Sequence, residues 1–93
     1  MYLEIISPEK ILFKGNVNSL SVPGANGEFQ MLNNHAAILS TLAKGKVRFE
    51  VENANDNFEA KSEDIKVEGN KFSLEINGGA VEFNNNKAVI LPS

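Results

Sequence analysis

The sequence predicts an all-β domain, a sandwich or a barrel, on three observations. Apolar residues recur with a period of two along most of the 93-residue chain. Turn signals interrupt these runs at short intervals, and no segment sustains helical spacing between caps. Alternation at period two sets one side of each strand on a core and the other in water. A chain of this length makes one domain, residues 1–93, with one modest core.

Leu3 and Ile5 define the first strand, and Phe13 with Gly15 the second. Over Asn16–Val22 the apolar phase shifts, from Val17 at an odd position to Leu20 and Val22 at even ones. Such a shift predicts a bend where the chain passes from one sheet to the other, with Gly15 easing it. Pro23-Gly24 and Asn26-Gly27 mark the next turn, and Asn-Gly suits the positive φ angles of a primed hairpin. The stretch GEFQMLNNHAAIL, residues 27–39, reads as a strand, a polar corner and a second strand, closed by Lys44-Gly45. Met31 within it suits either the core or an adaptable interface.

Val47, Phe49 and Val51 then alternate with Arg48, Glu50 and Glu52. Residues 53–64, NANDNFEAKSED, are the most polar stretch and predict a long hairpin tip with Phe58 as its large apolar anchor. Ile65 and Val67 form a short core-facing piece before the Gly69-Asn70 turn. Phe72, Leu74 and Ile76 alternate up to Asn77-Gly78-Gly79. Val81 with Phe83, then Val89 with Leu91, give two more core-facing pairs about the turn at Asn84-Asn85-Asn86. The thirteen asparagines are read as turn chemistry; none begins a glycosylation sequon.

Composition narrows the function. Without cysteine there is no disulfide framework, thiolate zinc site or cysteine nucleophile, which fits a reducing compartment. No signal peptide or apolar run of about 20 residues is visible, so no bilayer insertion is expected. Residues 1–49 hold five Lys/Arg against three acids, and residues 50–93 four against nine. This distribution lacks the basic stripe of a nucleic-acid binder.

His35 is the chain's one histidine. As a general base it lacks a nucleophile in a strained, glycine-flanked elbow; Ser7, Ser40 and Thr41 have no such setting. One histidine without cysteine makes no recognisable zinc site, and the acids of 50–68 lack calcium-loop spacing. The glycines precede strands and not helices, so no phosphate cradle is present. The residues describe a non-catalytic binding module with no cofactor and no metal. Its sticky surface is sought in the segment from Phe29 to Leu39.

Taken in order, Gly27-Glu28-Phe29, His35-Ala36, Leu39 and Lys44-Gly45-Lys46-Val47 resemble the N-terminal domain of the epsilon subunit of F-type ATP synthase, called delta in mitochondria. Ser7-Pro8-Glu9, Phe13-x-Gly15, Gly78-Gly79 and the ending Ala88–Leu91 are similar as well. The resemblance implies a sandwich of two antiparallel sheets, and a non-catalytic central-stalk subunit of a proton-translocating synthase, supporting coupled ATP synthesis. It would join the gamma subunit to the polar loops of the membrane c-ring and reach the alpha/beta catalytic head only indirectly. Its expected place is peripheral, on the cytoplasmic face of the bacterial inner membrane.

Carried onto this chain, the resemblance puts Ser7, His35, Ala36, Ile38 and Leu39 toward gamma, and Asn26, Gly27, Glu28 and Phe29 toward the ring. Asn33-Asn34 stands where the family has Pro-Gly, Ala37 replaces a proline and Gln30 a glycine, which predicts a less rigid corner. The chain ends at Pro92-Ser93, where the family continues into a helical hairpin. The expectation is that the chain lacks the hairpin's restraint of ATP hydrolysis and its ATP binding. The rival reading is a β-sandwich recognition module for carbohydrate or a protein partner. It is weakened by the absence of Trp and the presence of only one Tyr, Tyr2.

Overall fold

The computed structural model describes residues 1–52, 58–60 (backbone only) and 62–93. The hairpin tip expected over 53–64, with its Phe58 anchor, falls for the most part outside the described residues. Among them run eleven strands and no helix: β1 Tyr2–Ile6, β2 Ile11–Asn16, β3 Ser19–Gly24, β4 Gly27–Leu32, β5 Ile38–Leu42, β6 Gly45–Glu50, β7 Phe58–Ala60, β8 Lys66–Glu68, β9 Lys71–Ile76, β10 Gly79–Asn84 and β11 Lys87–Pro92.

The order β7-β2-β1-β11-β10-β5 makes one layer, and β3-β6-β9-β8 with β4 on the far side of β3 makes the other. One pairing, Gly24 with Leu42, seams them. Pro23 sits where the neighbour of β3 changes from β6 to β5. Its carbonyl accepts from Ala43 N at 2.7 Å, and its missing N–H falls at this gap in the ladder. The all-β sandwich is as expected, with one refinement: β1 pairs with β11 in parallel. The whole intervening chain serves as the crossover that a parallel pair needs.

The phase shift at Asn16–Val22 is the predicted passage between sheets. Val17 N donates to Met1 O at 2.8 Å in the first layer, and the next amide, Asn18 N, donates to Glu50 O at 2.7 Å in the second. Between the layers Phe13 of β2 meets Phe49 and Phe72, a cross-strand pair of β6 and β9, at centroid distances of 4.5 and 5.9 Å. Leu3, Ile5, Val81 and Phe83 from one side face Leu20, Val22, Met31 and Val47 from the other. Among the described residues no polar or charged one is buried with them. The layers are held by removal of apolar area from water and by tilted aromatic contacts.

Three expectations are corrected. Val89 and Leu91 lie on the outer face, with Leu91 52% exposed, while Ala88 and Ile90 fill the core. Every position from Ala88 to Leu91 is apolar, so alternation cannot choose a face. Register chooses it, seating Ala88 against Leu3 and Phe83, and Ile90 against Ile5 and Val81. Val67 is likewise 58% exposed on β8, and only Ile65, just before the strand, reaches the core. At Asn26-Gly27 the turn residues are Ala25 and Asn26, neither with positive φ, and Gly27 (φ 124°) opens the return strand. The primed turn is Asn85-Asn86, whose φ angles of 51° and 58° match type I′ between Asn84 and Lys87.

Candidate functional site

Successive strands run in alternating directions, so the loops gather at two ends. The lower end holds residues 7–10, the Ala25–Asn26 hairpin tip, Ala43–Lys44 and Asn77–Gly78. The upper end holds Val17–Asn18, residues 33–37, Gly69–Asn70 and Asn85–Asn86.

At the upper corner Asn34 adopts a left-handed φ of 63°, a conformation that asparagine tolerates better than other side-chain-bearing residues. Its amide donates to Asn86 Oδ1 at 2.7 Å, and His35 N closes a turn on Leu32 O at 3.1 Å. The Met1 ammonium donates to Asn33 Oδ1 and to Val17 O, tying the corner to the chain's first residue. Asparagine chemistry thus holds this bend.

His35 projects from the corner, exposed, with its ring edge-to-face on Phe83 at 5.8 Å. Its Nδ1 lies 2.7 Å from Ala36 O, a carbonyl that can only accept, so Nδ1 carries the proton and Nε2 is left outward. No carboxylate or hydroxyl bonds this ring, and among the described residues no group of three or more acids and histidines could hold a metal. What the imidazole offers is a contact surface. Ala37, Ile38, Leu39, Glu82, Phe83 and Asn84 frame a shallow notch beside it. Within β5 the two candidate residues diverge. Leu39 points out, 76% exposed, while Ile38 turns inward and packs on the core.

The other sequence-predicted residues lie at the lower end. Ser7 is engaged in the β1–β2 turn, its Oγ donating to Lys10 O at 3.0 Å and accepting from Lys10 N at 3.2 Å. Five residues of β11 separate this end from the His35 corner, about 17 Å at strand rise. Asn26, Gly27 and Glu28 are exposed at the hairpin tip, and Glu28 Oε2 pairs with Arg48 at 3.2 Å. Phe29 turns inward over Gly24. A Cβ on Gly24 would stand 2.7 Å from the ring, so a larger residue there would displace it. The structure therefore assembles His35, Ala36 and Leu39 with one another, and Asn26–Glu28 with one another, at opposite ends.

With this geometry in view, the family described as the ATP synthase delta/epsilon chain, beta-sandwich domain, matches residues 1–62. The chain belongs to that family. An ATP synthase epsilon chain of Chlorobaculum tepidum is 38% identical over 96% of this chain and 84% of the relative. One from Leptospira interrogans is 40% identical over 96% of this chain and 58% of the relative. Among solved structures, a chain of the Euglena gracilis mitochondrial ATP synthase, described as OSCP/F1/c-ring, shares the fold at a TM-score of 0.74 and 21% identity. That match covers 97% of this chain and 48% of the Euglena one. A chain of the Tetrahymena thermophila central stalk/c-ring does so at 0.66 and 19%, covering 99% of this chain and 62% of its own length.

The delta/epsilon sandwich has one surface that the sequence reading missed. Leu91 and Val89 lie on the same outer face as Leu39, with Glu82 and Ala80 of β10 between them. The signal was present as the unbroken apolar run 88–91, longer than a one-sided strand needs.

Proposed function

We propose that this chain is a non-catalytic rotor subunit of a proton-translocating ATP synthase, joining gamma to the c-ring in the central stalk. The observation that carries the reading is Leu39, three-quarters exposed beside His35 on an apolar outer face of a delta/epsilon sandwich. An apolar patch of this kind is a binding surface for a protein. Gamma docks on the first sheet through His35, Ala36 and Leu39, with Ile38 supporting Leu39 from beneath and Ser7 marking the far end. The c-ring loops meet the lower tip, where Asn26, Gly27 and Glu28 are exposed and Phe29 anchors them. Ring rotation is then transmitted to gamma, and the alpha/beta head is reached only through it, from a peripheral position on the cytoplasmic face of the bacterial inner membrane.

The test is capture of purified, folded chain by its cognate gamma subunit. Stable binding supports the reading and absence of binding overturns it. His35→Ala should weaken gamma binding about threefold to tenfold with the fold intact, as expected for loss of one aromatic contact. Unchanged affinity would remove His35 from the interface.

A further inference from the structure

The outer face of the first sheet carries a carboxylate, Glu82, that no basic neighbour answers among the described residues. Glu82, exposed on β10, sits in register between Leu39 of β5 and Val89 of β11. The next row towards the lower end is Thr41, Ala80 and Leu91. Among the residues whose side chains are described, the remaining charges on the strands of this face are Glu4, Lys14 and Lys87. Lys87 Nζ lies 3.3 Å from Glu4 Oε1 and 6.0 Å over the Tyr2 ring, while Lys14 stands opposite Glu4 in register. Glu4 is therefore provided for within the sheet, and Glu82 has no ion-pair partner among the described residues.

We infer that Glu82 selects the partner of this face, which must bring a lysine or arginine into an otherwise apolar contact. The inference rests on the reading of this face as the gamma-docking surface, and it names the chemistry of the occupant. The argument is one of charge complementarity. Any protein that covers Leu39 and Leu91 takes water from the carboxylate between them. An ionised carboxylate so covered is strongly unfavourable unless a cation replaces the lost hydration. The partner surface is thus an apolar ridge, complementary to Leu39, Val89 and Leu91, that carries a basic side chain. A purely apolar partner is rejected by the same residue, which makes Glu82 a specificity determinant as well as a contact.

The experiment measures binding of the cognate gamma subunit to the chain and to three variants, with circular dichroism confirming each fold. Glu82→Lys should bind about a hundredfold more weakly and the isosteric Glu82→Gln about tenfold, the latter with a flatter salt dependence, as for a desolvated interfacial charge pair. Glu75→Lys, the same charge change on the exposed face of the second sheet, should stay within about twofold of the unsubstituted chain. Glu82→Gln binding as tightly as the unsubstituted chain, or tighter, would overturn this inference while leaving the gamma reading standing. Failure of the unsubstituted chain to bind gamma would overturn both.

Discussion

The two outer faces of the sandwich are built from strands that share one core. Among the described residues each exposes two large apolar side chains, Leu39 and Leu91 on the first sheet and Leu32 and Val67 on the second, in different company. On the second sheet, Ser19, Ser21 and Ser73 floor a groove ringed by Lys46, Arg48, Lys66, Lys71 and the acids Glu50 and Glu68. Opposite charges meet across these strands, as where Lys71 stands between Glu50 and Glu68 in register, and such a face is content in water. On the first sheet Leu39, Val89 and Leu91 occupy the equivalent outward positions. On the first sheet the exposed apolar residues lie in adjoining rows with Ala80 and Val89, the patch proposed above as the gamma-docking surface.

The most disruptive way to break the comparison removes what both faces share. Phe13→Ala empties the aromatic contact between the layers and should cost about 3–5 kcal/mol in chemical denaturation, collapsing the distinction with the fold. A sharper cut leaves the core alone. Leu39→Ser and Leu91→Ser should each weaken gamma binding by about 1–2 kcal/mol, whereas Val67→Ser, equally apolar and exposed on the second sheet, should not change it. All three should leave stability within about 0.5 kcal/mol, read by thermal denaturation. Equal binding losses at Leu91 and Val67 would erase the difference between the faces.

Smaller effects test the corner that delivers β5 to the apolar face. Asn34→Ala should destabilise by about 1–2 kcal/mol, because alanine at φ 63° is strained, while Asn34→Gly should be nearly neutral. The smallest concerns the Met1 amine beneath the corner, whose burial lowers its pKa below the ordinary value near 8. Below both the folded and unfolded pKa values the amine is charged in both states and the fold bears its desolvation. Above both it is neutral and that cost vanishes. Stability should therefore rise with pH between the lowered folded value and about 8, and N-terminal acetylation should abolish that part of the slope in denaturant titrations.

Much of the architecture was legible because period-two patterns report burial directly. Phe49 and Phe72 were assigned inward from alternation alone, and the passage at Val17–Asn18 from a single phase shift. Legibility failed where a pattern was degenerate. Ala88–Leu91 offers apolar residues to both sides, and Val67 lies in a three-residue strand too short for period to count. The candidate site was half visible. The Asn33–His35 corner and Leu39 stood out in sequence, but Glu82 and Leu91, forty or more residues away, could join Leu39 only through pairing of β10 with β5 and β11.

The amino-acid sequence by itself determined the all-β class, most turn positions and most inward-facing residues, because these follow from side-chain alternation and local backbone preference. It also carried the family, through ordered short motifs. Tertiary structure alone decided which face of β11 is core, which asparagines take left-handed angles, and that Ser7 and His35 stand at opposite ends. Those outcomes depend on strand register, in which a shift of one residue turns every side chain to the other face. They rest on neighbours distant in the chain, and no local pattern contains them.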